Sequence, residues 1–301
     1  MWFTIAIISF FLLAMAAIVD KYILTKTKVI PISYVFYISL LGSIVSNLLI
    51  FFEDNFFFPQ EHLGILIVGG ASFYFALYFL FLAVTKSEVS RVNPLIVSLT
   101  PLFIFIFSFL FSFNTITFNQ LIGVLAITLA GYFLSQVGHL RTKIKSHVWF
   151  FILASAIMFA LANSFNKLAY LEMPFIMAFV YLKWISLITA ILFTSIKGGW
   201  SEIIKLKAKD GVKTNQRWLA FFIGQITGGA GVVMMQYAIN LGNVILVTAL
   251  NGIQFFFIIS LVFILSKFKS QIYQENVSKA YLIPKIVYSI ILFLGIFLIL
   301  T

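Results

Sequence analysis

The sequence predicts an all-α, polytopic membrane protein of ten transmembrane helices arranged as two inverted five-helix repeats, and three observations carry that prediction. Hydrophobic residues make up 62% of the chain and charged residues 10%, whereas a soluble domain carries roughly 25% charged residues. Apolar runs long enough to cross a hydrocarbon core of about 30 Å fall at 2–24, 31–52, 62–84, 88–112, 118–138, 147–171, 173–196, 217–240, 242–266 and 281–300. Two stretches also align without gaps: Ala83, Val89, Val92 and Leu95 of AVTKSEVSRVNPLIVSLTP match Ala238, Val244, Val247 and Leu250 of AINLGNVILVTALNGIQFF.

The opening MWFTIAIISFFLLAMAA reads as the first span, because it lacks a basic leader and its apolar run is too long for a signal peptide. Its end, AIVDKYIL, aligns with NSFNKLAY at the end of span six, setting Ala16, Asp20 and Lys21 against Ala162, Asn166 and Lys167. The units are therefore 1–138 and 147–301, joined by the short basic linker 139–146. Five spans is an odd number, so the second unit crosses the membrane in the opposite sense, as in secondary transporters that bind solutes between repeats.

Loop charge sets the orientation. Lys26, Lys28, Lys86, Arg91, Arg141, Lys143, Lys145, the segment Lys197 to Arg217 and the segment Lys267 to Lys285 fall on one side; Glu53, Asp54, Glu61 and Glu172 fall on the other. Basic loops stay in the cytoplasm, which places both termini outside. The net charge of +11 is then matched by anionic lipid headgroups rather than nucleic acid. In the longest loop, SEIIKLKAKDG has Ser201 as N-cap and Gly211 as stop. It reads either as a helix lying on headgroups or as a solvated basic loop.

The hairpin between spans three and four, an Ala at one span end followed by small residues and then Pro101 inside the next span, resembles that of the EamA family of the drug/metabolite transporter superfamily. The resemblance implies alternating access of a small organic metabolite, by facilitated diffusion or against a proton gradient. It also implies spans five and ten at the periphery. Ten-span members of that family are described with both termini in the cytoplasm, opposite to the charge reading. Spans five and ten, with Gly123, Gly131 and Gly295, are apolar on every face and read as scaffold.

No covalent chemistry is legible: P-loop, HExxH and GxSxG patterns are missing, and without cysteine there is no thiolate ligand set. No enzyme, cofactor or metal is expected. Polar residues at lipid depth are costly and face interiors, and their spacing draws three stripes: Gln225, Gly229, Val232, Gln236 and Asn240; Asn243, Val247, Asn251 and Gln254; Ser155, Phe159, Asn163 and Lys167. They line a shared solute cavity, or else bond one another as packing contacts. The candidate solute-binding set is Lys183, Asn163, Gln236, Asn240, Asn251 and Gln254, with Tyr74, Tyr78 and Thr100 from the first unit. Pro101 frees a carbonyl for a solute or kinks a packing helix. Gly69-Gly70 and Gly228-Gly229 mark close crossings or a flexible gate.

Asp20, Lys21, Asn166 and Lys167 are gate or coupling candidates, against the plainer readings of an Asp20–Lys21 ion pair and of lysines reaching the headgroups. Lys183 differs from them. It lies nine residues beyond Pro174, about 14 Å by helix rise and near mid-membrane. With no carboxylate at matching depth, it faces water, the amides of spans six and eight, or the anionic group of a solute. The expected solute is therefore anionic or zwitterionic; the sequence leaves the oligomeric state open, and a monomer is compatible with it. A lipid-carrier translocator, a non-transporting scaffold and a transferase using Glu53, Asp54 and Glu61 are the rivals.

Overall fold

The computed structural model describes residues 1–26, 30–53, 56–87, 89–111, 116–137, 144–203, 214–268 and 279–300. Among these the fold is all helical. The long helices are α1 (Trp2–Lys26), α2 (Pro31–Asn47), α3 (Leu63–Lys86), α4 (Val89–Phe111), α5 (Phe118–Gln136), α6 (Ser146–Glu172) and α7 (Phe175–Ile196). They are followed by a single turn, α8 (Trp200–Ile203), and then α9 (Thr214–Leu241), α10 (Val244–Leu250), α11 (Ile253–Phe268) and α12 (Lys279–Leu300). Six helices among the described residues are long and apolar enough to cross a membrane: α1 to α4, α6 and α7. Phe118–Leu134 and Val244–Ile258 are shorter apolar helices.

Local chemistry starts these helices where the polar breaks fall. Pro31 opens α2, where its missing N–H costs nothing. Thr117 and Gln120 cap α5 reciprocally: the Gln120 N–H donates to the Thr117 hydroxyl at 3.3 Å, and the Thr117 N–H donates to Gln120 Oε1 at 3.0 Å. Asn243 caps α10, its Oδ1 accepting from the Ile245 N–H at 2.9 Å. Ser201, expected as a cap, lies instead inside α8, whose last N–H bonds back to Gly199 O. The rest of the expected surface helix, including Gly211, lies outside the described residues.

The single span expected at 242–266 is broken. At Asn251-Gly252 the bonds tighten to three-residue spacing: the N–H groups of Asn251, Gly252 and Gln254 donate to Thr248, Ala249 and Asn251 carbonyls. A Cβ on Gly252 would lie 2.9 Å from Ile127 Cγ2, so glycine lets the break seat on α5.

Helices pair across the chain. α3 packs on α6 and α7, α1 on α9 and α11, α2 on α7, α5 on α12, and α4 on α5, α6 and α10. Small residues set the closest approaches. A Cβ on Gly70 would meet Leu182 O at 2.7 Å, one on Gly231 would meet Leu13 Cγ at 2.9 Å, and one on Gly295 would meet Ile127 Cγ1 at 2.7 Å and Gly123 O at 2.9 Å. Gly70 and Gly231 are thus at close crossings, the van der Waals contact that associates helices in lipid, while Gly229 has nothing within 4 Å.

Candidate solute site

Asn163, Asn166 and Tyr170 recur at three and four residues along α6, which brings them to one stripe. That stripe meets Gln236 of α9, a side chain only 2% exposed. Gln236 is engaged at both ends: Asn166 Nδ2 and the Tyr170 hydroxyl donate to its Oε1 at 3.2 and 3.0 Å, and its Nε2 donates to Asn163 Oδ1 at 3.1 Å. Two of the three polar stripes thus converge, and they converge by bonding one another.

Beside this cluster, α3 contributes Gly69, Gly70 and Phe73, and α7 contributes Phe179, Leu182 and Lys183. Together with Asn166, Tyr170 and Gln236 they line a partly open cleft of about 10 Å³, room for one water molecule. The Lys183 ammonium stands 4.0 Å from the Phe73 ring centroid and 5.2 Å from that of Phe179. Among the described residues it meets no carboxylate and no hydrogen-bond acceptor. Ring faces stabilise a cation by about 0.5–2 kcal/mol, much less than an ion pair with full hydrogen bonding at this depth. One acceptor in the same wall also lacks a donor: Asn166 Oδ1, buried against Gly69.

Lys167, one turn from Asn163, has the opposite surroundings. Its ammonium donates to Ile239 O at 3.0 Å, Asn240 O at 2.9 Å and Gly242 O at 2.9 Å. These carbonyls belong to the C-terminal end of α9, where the backbone has no helical donors left and the helix dipole is negative. Three donors meet three acceptors, so Lys167 caps α9 instead of extending to headgroups. Lys21, its counterpart, lies in α1, and its side chain is outside the described residues. Asp20 Oδ1 accepts from the Tyr34 hydroxyl of α2 at 2.5 Å.

The remaining candidates stand apart from this wall. Tyr74 and Tyr78 pack edge-to-face on Phe193, with ring centroids at 5.8 and 5.0 Å. Thr100 bonds back to Ile96 O at 2.7 Å within its own helix. Asn240 is represented by its backbone carbonyl, and Asn251 and Gln254 sit at the α10–α11 break. The rival carboxylates do not assemble either: Glu61 is exposed, Asp54 is outside the described residues, and no group of three or more His, Asp or Glu stands together among the described residues.

Sequence reasoning missed Tyr170, Phe73 and Phe179. Tyr170 continues the three-and-four spacing of Asn163 and Asn166 and was findable. Phe73 and Phe179 are two of 37 phenylalanines, and nothing in the chain distinguishes them before the helices are packed.

Residues 1–136 match the model of the EamA-like transporter family, which belongs to the drug/metabolite transporter superfamily. No curated protein matches the sequence. A crystal structure described only as "Crystal structure of protein" superposes with a TM-score of 0.67, covering 98% of this chain and 97% of its own, at 15% identity. At that identity the likeness is one of fold.

Proposed function

We propose, from the premise that residues 1–136 are of the EamA-like transporter family, that the whole chain moves a small organic anion or zwitterion across a membrane by alternating access. Ten spans in two inverted five-helix repeats form the transporter. The pattern of helix contacts supports that arrangement. Exchanging α1 with α6, α2 with α7, α3 with α9 and α5 with α12 turns the α3–α6 pair into α9–α1 and maps α2–α7 and α5–α12 onto themselves. Broken helices recur in such transporters, and α10–α11 is a broken helix, although it stands apart from the Lys183 wall.

The observation that carries the reading is the Lys183 ammonium on the wall of a small cleft, held by two aromatic rings. A cation costs at least about 2.5–3.5 kcal/mol at this depth, and a solute's anionic group offsets that cost when the cavity opens. Solute efflux or uptake in vesicles holding equal amounts of protein tests this. Lys183→Met is expected to abolish transport while membrane insertion and abundance persist, and undiminished transport refutes the role.

A non-transporting scaffold is favoured by a different observation, the mutual bonding of Asn163, Asn166, Tyr170 and Gln236 around so small a space. A scaffold gives no solute flux from either protein, so the same vesicles separate the two. The orientation follows from loop charge, with the basic loops in the cytoplasm and the termini outside. A reporter active only in the cytoplasm, fused after Thr301, is expected to be silent; a strong signal inverts the topology.

A further inference from the structure

Lys183 is one of two unspent polar groups in the cavity wall, and the second narrows what the cavity accepts. Asn166 is only 5% exposed. Its Nδ2 is committed to Gln236 Oε1 at 3.2 Å, while its Oδ1 is buried with no donor. An unmet buried acceptor is costly, and one that persists in a folded protein calls for a reason.

The neighbours of Oδ1 explain why the chain does not satisfy it. A Cβ built on Gly69 would come within 2.8 Å of both Asn166 Oδ1 and Leu182 Cδ2. Glycine and a leucine methyl thus border the oxygen, and neither side chain can donate. Gln236 cannot turn to it without losing its other bonds, because both its ends are engaged. Gly69, Leu182 and Asn166 border the same space as Lys183.

We propose that this cavity recognises an organic anion bearing an N–H or O–H donor next to its anionic group, with Lys183 receiving the anion and Asn166 Oδ1 receiving the donor; this rests on the reading of the cavity as a solute site. An anion without a donor brings its negative charge beside a carbonyl oxygen and leaves that oxygen unmet. A donor-bearing anion satisfies both groups at once, and two contacts on different helices, α7 and α6, fix its orientation. To be engaged, the Lys183 ammonium leaves the faces of Phe73 and Phe179, a weak hold that an anionic partner displaces.

The test is equilibrium binding to the full chain in lipid nanodiscs, using three pairs of acids that differ by one hydroxyl: lactate and propionate, 2-hydroxyisovalerate and isovalerate, mandelate and phenylacetate. The hydroxy acid is expected to bind about tenfold more tightly than its parent in at least one pair, the worth of one added hydrogen bond. Asn166→Leu is expected to bring that ratio to about one. Because Asn166 also holds Gln236, that variant can fail to fold. Gly69→Ala crowds Oδ1 from the other side while keeping the Asn166 amide that donates to Gln236, and is expected to collapse the same ratio. Equal binding within all three pairs overturns the inference and leaves the anion site standing. Binding of none of the six acids overturns the solute-site reading and the inference with it.

Discussion

Lys167, which is buried, and Lys183, which is half-buried, both lie in the second half of the chain, yet their surroundings differ in kind. Lys167 spends all its donors on three backbone carbonyls at the end of α9, whereas Lys183 rests on two ring faces beside a cavity. The first is tied to groups that cannot leave, since a helix end keeps its carbonyls in any state of the protein. The second is tied to groups that release it at small cost. Burial of a lysine therefore says little about function until its acceptors are counted.

The comparison breaks most readily at Lys167. Lys167→Met removes three charge-assisted bonds and strands three carbonyls, so a loss of about 3 kcal/mol or more is expected. It would be read as a fall in unfolding temperature in detergent and in recovered monodisperse protein. Lys183→Met, measured alongside, is expected to leave the unfolding temperature nearly unchanged or to raise it, since a charge without acceptors is removed. Similar losses from both lysines would erase the distinction. The smallest effect sharpens it: Phe73→Leu takes away the nearer ring face, worth about 0.5–2 kcal/mol. An organic anion then competes with less, and its affinity is expected to rise several-fold in a binding titration. A fall would mean that Phe73 holds the solute rather than the lysine.

Most helices were legible in the sequence because length and hydrophobicity suffice to place a span, and the six strongest stand where the apolar runs fall. The amide stripes were legible too, since Asn163 and Gln236 recur at helical spacing. What the spacing could not supply was which amide meets which, because that depends on the rotation and depth of α6 against α9. Lys167 shows this most clearly. Its acceptors are main-chain oxygens of Ile239, Asn240 and Gly242, and backbone carbonyls are present at every helix end, so no residue type announces them. Tyr74, Tyr78 and Thr100 had the right polarity but belong to other contacts. The break at Asn251-Gly252 was not legible: Asn251 was singled out for its polarity, whereas the glycine beside it is seated on Ile127 of α5, a contact that appears only once the helices are packed.

The contact of α5 with α12 has a consequence for how the protein is made. Gly295 packs on α5 so closely that a methyl group added there would collide with the Gly123 carbonyl, yet nearly half of the chain separates the two helices in order of synthesis. At about 5–20 residues per second, roughly 7 to 28 s elapse between completion of α5 and arrival of α12. Through that interval the face of α5 that packs on Gly295 has no partner from α12, and a nascent chain arrested before α12 keeps that face uncovered.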